Sequence, residues 1–117
     1  MSNPTPISQI LEKYQTSRCF EQLKESLSSV TNKTIHINGL SASAPSILTS
    51  VSFLGLEKHI LCVMPSKEEA AYFQNDLQAL LPSHPIYFFC DSFRSLRKGA
   101  HKDATNLIMR TEVMDVL

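Results

Sequence analysis

The 117-residue sequence predicts an α/β fold: a three-layer parallel sheet, truncated at three strands and preceded by two helices. Three observations predict it. Residues 33–38 place Ile35 and Ile37 in strand alternation, and 58–64 and 86–90 are short apolar runs of the kind that parallel sheets bury on both faces. Helix-period segments separate these runs, which is the pattern of βαβ units with right-handed crossovers. Between the first strand and the next helix, Gly39-Leu40-Ser41-Ala42-Ser43-Ala44-Pro45-Ser46 keeps the frame of a phosphate-binding loop (P-loop).

Taken in order, Thr5-Pro6 opens a helix with Ile7, Ile10, Leu11 and Tyr14 on one face. Ser17 caps a second with Phe20, Leu23, Leu27 and Val30. The first strand and the loop follow, then a helix carrying Ile47, Leu48, Val51 and Leu54, with Pro45 suited to a first turn, where its missing N–H costs nothing. Pro65 ends the second strand, and Ser66-Lys67-Glu68-Glu69 reads as a capping box. Ala70, Phe73, Leu77 and Leu80 form the buried face of the helix it opens. Pro82 and Pro85 turn the chain into the third strand, and Asp103 is placed to cap a last helix with Leu107, Ile108, Met114 and Leu117. Residues 1–32 thus read as tail and helices, and 33–117 as the α/β domain. The chain stops in mid-pattern, without a C-terminal helix signal, and reads as a fragment of a longer protein.

Lys plus Arg and Asp plus Glu both number 11, so no net charge points to nucleic acid or membrane. No apolar run approaches the roughly 18 residues of a span, and the polar start lacks the regions of a signal peptide. A cytoplasmic protein with no membrane partner is expected. The odd cysteine count of 3 suits reduced thiols rather than a disulfide framework.

An intact phosphate loop uses backbone N–H groups to cradle oxygens and a Lys to reach the terminal phosphates. Here Ala44 stands where the second Gly belongs and Pro45 where the Lys belongs, followed by Ser46. Proline has neither charge nor N–H to offer. The loop is expected not to hold ATP, so this segment should have no catalytic residue, cofactor or metal. An ordinary strand-to-helix turn would read the same way. Gly39-Leu40-Ser41-Ala42-Ser43 also resembles a nucleophile elbow, with His59, His84 and His101 downstream, but such hydrolases need more sheet than this length supplies, and Ser43 replaces a glycine of the turn. The 4 histidines stand apart from ligand spacing. Cys62 and Cys90 read as packed strand residues and Asp91 as a turn residue. Arg94, Arg97, Lys98 and Lys102 are the candidates for a weak polar or nucleic-acid contact, against the plainer reading of a solvated basic loop.

The order of strand, broken loop, helix, the strand His59-Ile60-Leu61-Cys62-Val63-Met64-Pro65, the helix Glu69-Ala70-Ala71-Tyr72-Phe73-Gln74-Asn75-Asp76-Leu77 and the aromatic turn Tyr87-Phe88-Phe89-Cys90-Asp91-Ser92-Phe93 resembles a known family. It looks like the N-terminal module of the bacterial transcription-repair coupling factors (Mfd), itself similar to the first helicase domain of UvrB. The likeness runs from about Thr16 to the end and includes Asn106 to Arg110 with Glu112. UvrB-type proteins carry a DNA-clamping hairpin where this chain has only residues 94–102. The resemblance therefore implies a non-catalytic, helicase-like scaffold with a degenerate P-loop, in a parent that displaces stalled RNA polymerase and recruits UvrA in nucleotide excision repair. ATP and magnesium would belong to the parent's motor domains. UvrA contact would lie mainly in the following domain, and contacts to RNA polymerase and DNA elsewhere in the parent. A free-standing α/β regulatory or nucleotide-binding domain is the alternative.

Overall fold

A computed structural model describes residues 4–29, 32–89 and 100–117, with side chains from 107 onward in the last stretch. It holds five helices: α1 (Pro6–Gln15), α2 (Arg18–Ser28), α3 (Ala44–Leu56), α4 (Lys67–Leu80) and α5 (Ala100–Val116). Among the described residues there is no β-strand, so the expected three-layer parallel sheet is not formed.

The reason lies in what alternation and apolar runs can specify. They favour extended backbone, but a strand exists only where a neighbour completes its hydrogen-bond ladder. Residues 33–38, 59–64 and 85–89 carry no helix, and no backbone hydrogen bond engages 58–64 among the described residues. A central parallel strand would be covered on both faces, whereas Leu61 and Val63 are each 86% exposed.

The helices begin where side-chain caps predict. Thr5 Oγ1 accepts from the Ser8 N–H at 3.3 Å, Ser17 Oγ from the Phe20 N–H at 3.3 Å and Ser66 Oγ from the Glu69 N–H at 3.2 Å. Each satisfies one donor that a helix start leaves open. The last helix departs from expectation, since α5 begins at Ala100, ahead of Asp103.

Helix α3 is the hub: α1, α2 and α4 all pack on it. Its sequence APSILTSVSFLGL has no charged residue, so it can be surrounded without stranding a charge. The core is Leu11 of α1, Phe20 of α2 and Val51 of α3, with Tyr14, Ile47, Leu48 and Leu80 against it. Gly55 lets Phe20 approach, because a Cβ there would stand 3.1 Å from the Phe20 ring. At the far end of α3 the Phe53 and His84 rings meet edge-on with centroids 5.2 Å apart. The Gln74 amide donates to the Ile86 carbonyl at 3.1 Å, tying the extended segment 85–89 to α4. Arg110 of α5 lies over Phe89, 4.9 Å from its centroid. The radius of gyration is 16.9 Å, against roughly 13 Å for a compact domain of this size. A small helical core thus carries long uncovered segments.

Candidate functional site

The broken phosphate loop sits at the N-terminus of the hub helix. Gly39 takes φ 82°, a left-handed conformation open to glycine, and Ala42 takes φ 51°, which costs a residue with a Cβ about 1–2 kcal/mol. These two positions curl the chain into α3. The Ala44 N–H then donates to the Ser41 carbonyl at 3.0 Å and the Ile47 N–H to the Ser43 carbonyl at 3.0 Å. Pro45, in the first turn, has no N–H, and Ser43 makes no side-chain cap. The N–H groups of Ala44 and Ile47 are therefore turned inward, into the turn and the helix.

Ser46 completes the picture. It is buried, and its hydroxyl donates to Asp76 Oδ2 of α4 at 2.9 Å. One turn on, the fully buried Ser50 hydroxyl donates to the Ser46 carbonyl at 2.8 Å. In an intact loop the hydroxyl at the Ser46 position faces a magnesium ion; here it is spent on an interhelical contact. Asp76 also sets a carboxylate against the first turn of α3, where the partial positive charge of the helix end would otherwise favour an anion. A phosphate arriving there would meet a negative neighbour and no lysine.

Of the residues singled out from sequence, Gly39, Ala44, Pro45 and Ser46 come together at this helix end. Arg94, Arg97 and Lys98 lie outside the described residues, as do Cys90 and Asp91, and Lys102 falls within α5. The nucleophile-elbow reading gains no partner, because no histidine bonds Ser41 or Ser43 among the described residues, and His84 packs on Phe53. Nor do three or more His, Cys, Asp or Glu side chains gather in a metal-binding group among those residues. Sequence reasoning missed Asp76. The signal was there: Asp76 falls between Phe73, Leu77 and Leu80 on the face of α4 that packs inward, and an acidic residue on an apolar face requires a polar partner.

Two open depressions occur elsewhere. One of about 480 Å³ lies between the end of α2 and Lys58, with Ser26 and Lys33 on its rim; the other, of about 510 Å³, lies between Phe89 and Leu107, Arg110 and Met114 of α5. Neither includes a loop residue. Among the described residues no helix is long and apolar enough to cross a membrane. No protein-family model, curated protein or solved structure matches this chain.

Proposed function

We propose that this chain is a non-catalytic, UvrB-like scaffold module of a cytoplasmic transcription-repair coupling factor, contributing to UvrA recruitment without using a nucleotide itself. The observation that carries the non-catalytic part is the Ser46–Asp76 bond, which occupies the hydroxyl and the helix end that a phosphate and its metal would need. The order of segments supports the family assignment: two helices, an extended segment, a degenerate loop with its helix, and two further pairs of extended segment and helix follow the order of the family likeness. In this reading ATP and magnesium act only in motor domains elsewhere in the parent, which also hold the contacts to RNA polymerase and DNA.

The test is a pull-down of purified UvrA by residues 1–117 and by a longer chain that adds the domain following in coupling factors. Weak or no capture by the first and firm capture by the second is expected. Replacing Arg94, Arg97 and Lys98 by Ala should leave the second unchanged. Tight capture by residues 1–117 alone, or loss of capture on those replacements, would place the recognition surface here and overturn the scaffold role.

A further inference from the structure

The second extended segment holds an unbroken apolar run, Ile60-Leu61-Cys62-Val63-Met64, between His59 and Pro65. Its side chains alternate. Ile60, at 41% exposure, and the half-buried Met64 share one side with Cys62, whose thiol is pushed up in pKa by partial burial. Leu61 and Val63 share the other and stand 86% exposed. The backbone of 58–64 has no hydrogen-bond partner among the described residues. An extended, uncharged run with open N–H and C=O groups and no internal Lys or Pro lacks the devices by which edges resist pairing.

We propose that this run pairs with the same run of a second copy, as an antiparallel ribbon with its twofold axis at Cys62, giving a symmetric dimer. A twofold axis normal to the ribbon keeps each side chain on its own face, so opposed residues must have the same parity and the axis must pass through a residue. Centring on Cys62 sets Ile60 across Met64, Leu61 across Val63 and Cys62 across itself. Moving the centre to Leu61 brings His59 across Val63, and moving it to Val63 brings Pro65, which has no N–H, across Leu61. Only the Cys62 register matches all five apolar residues with one another. The equal counts of 11 basic and 11 acidic residues let two copies approach without net repulsion. A five-residue ribbon is a small interface, so the dimer is weak and reversible, with a dissociation constant on the order of 100 µM.

Opposed residues of an antiparallel pair have Cα atoms about 4.5–5.5 Å apart, within the span of roughly 4.4–6.8 Å that a disulfide bridges. The register therefore has a covalent readout. In a chain carrying Cys19→Ser and Cys90→Ser, diamide, which takes up the two thiol hydrogens as the S–S bond forms, should link two copies through Cys62. Leu61→Lys with Val63→Lys sets lysine across lysine in the ribbon, while both positions are too exposed in the single chain for the helical core to depend on them. Sedimentation equilibrium should show dimer for the unmodified chain at about 500 µM and monomer for the Lys/Lys variant at unchanged helical circular dichroism. Its Cys62 linkage should slow by at least about tenfold, 1.4 kcal/mol of lost association. A chain that stays monomeric at that concentration, a dimer that persists in the Lys/Lys variant, or linkage at an unchanged rate would each overturn the proposal.

Discussion

At Ser46 one hydroxyl decides between two uses. Directed at a metal it would help hold a nucleotide; donated to Asp76 it fastens α3 to α4. Because Ser46 is buried, Ser46→Ala leaves Asp76 short of a partner and should lower stability by about 1–2 kcal/mol. Asp76→Ala should cost a similar amount, and the double replacement less than the sum, since the two report one interaction. Urea titrations of the three variants give these values. Cys62 offers a second readout at this scale. Burial raises its thiol pKa, so the thiolate forms only at higher pH in the folded chain, and the unfolded chain gives up the proton first. The stability tied to this thiol is complete below the unfolded-state pKa and is lost as pH rises through the folded value. Alkylation by iodoacetamide in a chain where Cys62 is the sole cysteine should accordingly have its pH midpoint above that of the same chain in urea; an equal or lower midpoint would contradict the burial.

Element by element, the helices were legible because their signals are local. Thr5, Ser17 and Ser66 announce their helix starts, and Leu11, Phe20, Val51 and Leu77 fall at the buried positions their spacing indicates. The sheet was misread because its signals are not local. Residues 58–64 have the composition of a buried strand, yet pairing depends on a neighbour that no single-segment pattern encodes. The loop was legible in its missing lysine and glycine, but not in the Asp76 contact, which joins residues 30 apart in sequence. Helix α3 ends at Glu57 with φ 51°, in the left-handed region where glycine is preferred. Glu57→Gly should therefore raise stability by about 1 kcal/mol, whereas Ser66→Ala should lower it by about 1 kcal/mol through loss of the α4 cap. Thermal unfolding of the two variants tests both signs.

For the molecule as a whole, a radius of gyration of 16.9 Å and a core centred on Leu11, Phe20 and Val51 mean that little surface is removed from water on folding. The urea dependence of unfolding should be correspondingly shallow for 117 residues, because that slope scales with the surface exposed. The larger claim is that a chain can keep the frame of a nucleotide-binding unit while its loop serves packing: Pro45 removes a donor, Ala44 and Ile47 turn theirs inward, and Asp76 takes the Ser46 hydroxyl. Restoring the lysine alone, as Pro45→Lys, leaves Asp76 in place and should not create a site. Isothermal titration of the purified chain with magnesium-ATP measures this most directly. No saturable heat up to millimolar nucleotide is expected, for the natural chain and for Pro45→Lys alike; a saturable isotherm with a dissociation constant below about 1 mM, some 4 kcal/mol of binding, would contradict it.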